Sequence, residues 1–188
     1  MMINMKAKKV NEMIDPYTSE EEAGIDIDVS YKRQMTINGL KAWFLKWDPD
    51  AEYTIEDNLD VLVSSVLYLS GSECSLIPEN IISVNGLNIA NTKITKLPDK
   101  LKLIKYSFNA ANTKLEYLDP DLKIGGSVNL RDTLVTSIPN HLRLTGLNLK
   151  NTPIDKLPDD LKVRWSLNII DTNIKEIPPG VKYGTLKR

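Results

Sequence analysis

The sequence predicts an α/β solenoid: a stack of about six coils built mainly from short parallel β-strands, with an α-helical cap at its N-terminal end. Three observations carry this expectation. A Ser/Thr recurs at Ser72, Thr92, Thr113, Thr133, Thr152 and Thr172, in steps of 20, 21, 20, 19 and 20 residues. Apolar side chains hold fixed places around each of these markers. A separate stripe of aromatic and aliphatic residues at helical spacing precedes the first coil. A period of this length marks a stack of small units that bury their apolar faces only against one another.

Taken in order, residues 1–29 read as an acidic arm, with glutamates at 20, 21 and 22 and a short strand candidate at 25–29. Residues 30–52 read as the cap. Ile37, Leu40, Trp43, Phe44 and Trp47 fall on one face of a helix. Ser30 is a candidate for its start, Asp48-Pro49 ends it, and Asn38-Gly39 is a candidate break. Covering the first coil is the structural role of this stripe, and an aromatic docking helix is the functional alternative. Residues 53–188 form the solenoid, and Tyr53, Ile55, Leu59 and Val61 read as an incomplete first repeat.

Within each coil, the residues five and three before the marker are both apolar: Leu67/Leu69, Leu87/Ile89, Phe108/Ala110, Val128/Leu130, Leu147/Leu149 and Leu167/Ile169. A separation of two places both on one face of a strand. Further apolar places follow the marker by two, five and nine residues, as in Ile94, Leu97 and Leu101. A proline follows the second of these (Pro78, Pro98, Pro139, Pro158, Pro178) and slips one place to Pro120 in the third repeat. Having no amide donor, it belongs to the return segment rather than a strand ladder. Each marker hydroxyl is placed to satisfy buried backbone groups. Tyr183 takes the last inward place, and Leu186 opens a further strand whose edge is expected to be open.

The unit L-x-L-x-x-T-x-I-x-x-L-P-x-x-L resembles the leucine-rich repeat, with Thr at the usual Asn position. Its Leu-Pro step and short period look most like the short bacterial repeats of secreted effectors. The threonine version with joints such as LPDDLKV also looks like small proteins encoded by bacteriophages, and the KVNEMIDPYTSEEE opening is similar. The likeness covers about 120 residues. It implies a solenoid that grips a partner on its concave sheet, and such an architecture serves many partners. A parallel β-helix is the competing architecture, with a second short strand at Leu161-Lys162-Val163.

Composition narrows the chemistry. The 188 residues include a single cysteine, Cys74, which excludes an internal disulfide and a multi-cysteine metal site. Cys74 occupies an apolar core place, where a thiol is inert. The single histidine, His141, lies in a return loop with nothing to pair it with a nucleophile. Asp48-x-Asp50-x-Glu52 fails as a calcium loop because Tyr53 and Leu59 stand where Gly and Glu are required. Gly125-Gly126-Ser127 is a repeat joint rather than a phosphate loop. Effector relatives that ligate ubiquitin carry a separate catalytic domain, for which this chain has no counterpart. The expectation is a non-enzymatic protein that uses no cofactor and no metal. The absence of an apolar run long enough to span a bilayer and of a signal-like start points to the cytoplasm, that of the host cell if phage-encoded.

The net charge of −1 hides an asymmetry. Residues 1–60 carry 7 Lys+Arg against 13 Asp+Glu, or −6, and residues 61–188 carry 17 against 12, or +5. One outward column runs Tyr68, Asn88, Asn109, Asn129, Asn148, Asn168, read both as an amide-to-amide ladder and as a recognition face. A neighbouring column runs Ser70, Ala90, Ala111, Arg131, Lys150, Ile170. With Trp165 alongside, the protein-binding candidates are Tyr68, Asn88, Asn109, Asn129, Arg131, Asn148, Lys150, Trp165 and Asn168. A basic column of Lys102, Lys123, Arg143, Lys162 and Lys182 reads as a charge-paired edge offset by Asp99, Asp121, Asp159 and Asp160. The expected partner is therefore a host or bacterial protein, bound or inhibited through the concave face. Nucleic-acid binding by the basic column and a homodimer through the C-terminal edge are the alternatives.

Overall fold

Residues 36–188, and the backbone of residues 3–6, are described by a computed structural model. The acidic run at 20–22, the strand candidate at 25–29 and the cap candidate Ser30 lie outside the described residues. The elements in chain order are β1 (Ile3–Lys6), α1 (Ile37–Trp47), β2 (Glu52–Ile55), β3 (Val61–Tyr68), β4 (Ile81–Asn88), β5 (Leu103–Ile104), β6 (Phe108–Asn109), β7 (Lys123–Ile124), β8 (Val128–Asn129), β9 (Arg143–Asn148), β10 (Lys162–Asn168) and β11 (Lys182–Lys187). Among the described residues α1 is the only helix. The α/β expectation accordingly narrows to a β-solenoid of parallel strands with one short N-terminal helix.

Thr36 starts α1 by accepting the Gly39 amide N–H on its side-chain oxygen at 3.2 Å, and the helix runs unbroken through Asn38-Gly39. Leu40, Trp43 and Phe44 are buried and Trp47 is half-buried, whereas Ile37 stays exposed. The buried stripe lies on the first coil. Trp43 donates its indole N–H to the Leu76 carbonyl at 3.1 Å, and Phe44 stacks on Tyr53 with ring centres 3.9 Å apart. Asp48 closes the helix and accepts the Tyr68 amide N–H at 2.7 Å, tying the cap to the first parallel strand. Burial pushes its carboxyl above the usual range, against the opposing effect of that hydrogen bond.

The expected incomplete repeat at 53–63 is instead the antiparallel hairpin that joins β2 to the start of β3. Strand β2 pairs antiparallel with β3, Tyr53 opposite Val63, and β1 pairs antiparallel with β2. From β3 onward every pairing is parallel, in the order β3-β4-β6-β8-β9-β10-β11. Strands β5 and β7 extend the same wall beside β4. Bulges interrupt β3 between Val63 and Val66 and β10 between Val163 and Ser166. The residues 162–163 that suggested a second strand are the first part of β10 itself. The wall is one sheet, and the return segments hold no strand.

Each coil turns its corner immediately before the Thr marker, at a place the sequence reading did not single out. Gly71, Asn91, Asn112, Asp132, Asn151 and Asp171 occupy it, and all six have φ between 54° and 73°. Left-handed backbone is open to glycine and tolerated by Asn and Asp, so the residue types follow from the turn. The backbone ladder continues through this corner. The N–H groups of Gly71, Asn91, Asn112, Asp132 and Asn151 donate to Ala90, Ala111, Arg131, Lys150 and Ile170 on the next coil, at 2.9–3.0 Å. The marker hydroxyl then locks the turn. Thr92, Thr113, Thr133 and Thr152 each donate to the carbonyl three residues earlier at 2.7 Å.

The return is equally regular. In five of the six coils, all but that of Thr133, the N–H nine residues after the marker donates to the carbonyl six after it, as in Leu101 to Pro98 at 3.1 Å. In the third coil the acceptor is Asp119, with Leu122 as donor at 3.0 Å, so the slipped Pro120 leaves the register intact.

The corners and the cap generate three predictions. Thr133→Val removes the donor to a buried carbonyl and lowers unfolding free energy in urea by about 1–3 kcal/mol, while Thr133→Ser loses much less. Asn151→Ala, which keeps a Cβ at positive φ, costs about 1 kcal/mol or more, and Asn151→Gly only a fraction of that. For Asp48 the folded-state pKa lies above the unfolded one, so the folded protein binds the extra proton and stability falls as pH rises through that window. Asp48→Asn, which still accepts the Tyr68 N–H, is therefore more stable than wild type at neutral pH. Thermal melts should show the gap narrowing as pH falls toward the ordinary Asp range near 3.8.

Candidate functional site

The outward face of the sheet is built by strand alternation. Inward residues such as Val128, Leu147 and Leu167 are buried, so the residues on either side of them face solvent. Six residues before the marker this gives Val66, Gly86, Ser107, Ser127, Gly146 and Ser166, a column of mostly small side chains. Four before it comes the Tyr68-to-Asn168 column. Together they enclose a shallow groove of about 410 Å³, lined in part by Ser107, Asn109, Ser127, Asn129, Asn148 and Asn168. Gly146 lies at its centre, in register with Ser166. A Cβ built on Gly146 meets nothing closer than 3.6 Å, so the groove is open there.

The asparagines do not form the expected amide-to-amide ladder. Asn88, Asn109, Asn129, Asn148 and Asn168 each turn their Oδ1 onto the backbone N–H two residues on, at 3.1–3.3 Å. That amide falls between two ladder donors, and the local carboxamide satisfies it. The rung-to-rung amide bonds occur instead on the left-handed column: Asn112 donates to Asn91, and Asn151 to Asp132, both at 2.8 Å. With each strand-column oxygen used in this way, the Nδ2 donors of the four half-buried asparagines that line the groove, Asn109, Asn129, Asn148 and Asn168, are left for a ligand, one per coil.

The other predicted residues are not all brought together. Tyr68 and Asn88 lie on the first two coils, beyond the groove lining, and Tyr68 is 59% exposed. Ala90 and Ala111 are buried, so the column containing Arg131 and Lys150 belongs to the corner rather than to the open face. Arg131 is committed there, with an ion pair to Asp132 at 3.0 Å and a hydrogen bond to Asn112 at 3.4 Å. Trp165 is 60% exposed but sits at the bulge of β10, with the Arg164 guanidinium 5.6 Å from its ring centre. Three coils earlier, Lys105 lies 5.2 Å from the Tyr106 ring at the equivalent place.

The basic column also departs from expectation. Lys102 pairs with Asp119 rather than Asp99, which goes to Lys96 at 2.9 Å. Asp160 is taken by His141, whose backbone N–H and ring hold its carboxyl below the usual range. Lys123 is in register with Leu103, not Lys102, because the 21-residue step shifts the strand by one place. Among the described residues, Lys123, Arg143, Lys162 and Lys182 make no ion pair. The signal that the sequence reading missed is the placement of charge along the coil. The parallel wall, residues 61–68, 81–88, 102–109, 123–129, 143–148, 162–168 and 182–187, contains no Asp or Glu. It carries Lys102, Lys105, Lys123 and Arg143, then Lys162, Arg164, Lys182 and Lys187, all exposed. Every carboxylate from residue 61 onward lies in the turns and returns.

Two further sequence features, Cys74 and Gly125-Gly126, have packing explanations. Cys74 is buried, and its thiol, donating to the Leu76 carbonyl at 3.3 Å, is pushed up in pKa mainly by burial. Gly125 and Gly126 pass so close beneath the Lys105 and Tyr106 carbonyls that a Cβ would sit 2.3 and 2.5 Å from them. They are a close-packed joint, as the sequence suggested. Among the described residues no helix is long and apolar enough to cross a membrane. No protein-family model matches the chain, and neither the curated proteins nor the solved structures give a match.

The burial of Cys74 gives a direct prediction. Under native conditions a water-soluble disulfide reagent should modify it at least about a hundredfold more slowly than in denaturant, because the reactive thiolate is both scarce and covered. Equal rates would place the thiol at the surface.

Proposed function

We propose that this chain is a non-enzymatic binding module that holds a partner protein on the outward face of its parallel sheet. The observation that carries the reading is the groove over coils three to six. Its floor is Ser and Gly, its wall is a column of carboxamide donors, and it lies beside exposed Trp165. Stacked strands about 4.8 Å apart hold these groups at fixed separations, so the face is preorganised and a partner orders little of it on binding. Small floor residues let a partner's main chain come close to the sheet, and aromatic and Arg side chains are the usual anchors of such contacts. The resemblance of the repeats to leucine-rich repeats supports the same use of the sheet. Their likeness to bacteriophage-encoded proteins makes a bacterial host protein, bound or inhibited in the cytoplasm, the first partner to seek.

Gly146→Gln tests this reading because it fills the groove while removing no hydrogen bond. Wild-type protein used as bait should capture a specific partner from bacterial lysate, and Gly146→Gln should lose it with a melting temperature shifted by no more than a few degrees. Undiminished capture by Gly146→Gln would place the contact elsewhere. Substituting the asparagines is a poorer test, since each also removes a turn hydrogen bond.

A further inference from the structure

Arg143, Lys162 and Lys182 are in register on three adjacent strands, Arg143 beside Lys162 and Lys162 beside Lys182. Arg164 lies two residues along from Lys162 on the same strand. These four cations border a cleft of about 440 Å³ whose remaining lining includes Thr145 and Tyr183. Like charges placed directly across adjacent strands repel one another. Nothing among the described residues neutralises this row, and the wall around it holds no carboxylate. The fold therefore maintains an uncompensated block of positive charge beside the donor groove, and the charge complementary to it has to come from outside.

We infer that the cleft receives the carboxylates of an acidic segment of the partner protein, so that the partner's contact surface is rich in Asp and Glu; this rests on the sheet face being the binding surface. Arg143 and Arg164 present planar forks that match carboxylate oxygens, and the lysines supply point charges on either side. The adjoining Asn Nδ2 groups donate to the same kind of acceptor. The shape of the field favours a protein segment over a polynucleotide. The positive zone is one strand length wide, with carboxylates beyond both margins at Asp132 and Asp171 on one side and Asp121 and Asp159 on the other. A short acidic segment fits inside that zone, whereas a polyphosphate leaving it meets like charge.

The test uses the full chain with fluorescently labelled poly-L-glutamate and a single-stranded oligothymidylate of equal charge, followed by polarisation. Poly-L-glutamate should bind, and Arg143→Glu with Lys162→Glu should weaken it at least about tenfold. Lys114→Glu with Lys175→Glu, which makes the same charge change on the return side, should leave it within about twofold. The neutral pair Arg143→Gln with Lys162→Gln gives the same readout if the reversal impairs folding, which circular dichroism reports. The inference is overturned if poly-L-glutamate fails to bind, if both double variants weaken it equally, or if the oligothymidylate binds more tightly. Loss of partner capture by Gly146→Gln together with no poly-L-glutamate binding would keep the sheet face and discard its acidic partner. The opposite pair of results would discard the sheet face as the site of capture.

Discussion

Everything in this molecule depends on how a chain turns a tight corner every twenty or so residues without stranding buried backbone groups. A corner inside a stack has no water to satisfy its N–H and C=O groups, and an unpaired buried polar group costs about 1–3 kcal/mol. Repeated through six coils, that cost would be as large as the whole stability of an ordinary domain. The solution is local and repeated. A left-handed Gly, Asn or Asp keeps its own N–H in the inter-coil ladder, the next Thr hydroxyl takes the carbonyl left behind, and an Asn three residues before the left-handed residue takes the N–H between. No buried side-chain polar atom among the described residues is left without a partner.

The same requirement explains how the face acquires its character. Because the corner consumes each Asn Oδ1, the carboxamides present only donors outward. Because adjacent coils approach closely between β7 and β8, Gly126 is fixed beneath a neighbouring carbonyl, and Ser127 beside it hydrogen-bonds Thr145 at 2.7 Å. Beyond β2 the carboxylates lie in the turns and returns, where several accept backbone N–H groups or pair with Lys93, Lys96, Lys100 and Lys102. What is left on the sheet is a surface of donors and cations.

Much of this was legible in the sequence. The twenty-residue step, the inward pairs such as Leu147/Leu149 and the Leu40-Trp43-Phe44 stripe are periodic signals, and burial turned them into the solenoid and its cap. The antiparallel hairpin at the start was not legible, because Tyr53, Ile55, Val61 and Val63 alternate as strands do in either direction. The Asn column was visible, but its bonding depended on φ at the residue three places on. The left-handed run of Gly71, Asn91, Asn112, Asp132, Asn151 and Asp171 was equally regular and went unread because it lacks an apolar member. The basic column was misread by one place at the 21-residue step, where only the strand register separates Lys102 from Lys123.

The most direct measurement of the account is native-state hydrogen exchange at the corners. If the inter-coil ladder passes through them, the amides of Asn91, Asn112, Asp132 and Asn151 exchange as slowly as strand amides such as Leu87 and Phe108. Exchange at these four positions as fast as in the exposed returns would mean that the corners are held by side-chain packing alone, and the account would fail at its foundation.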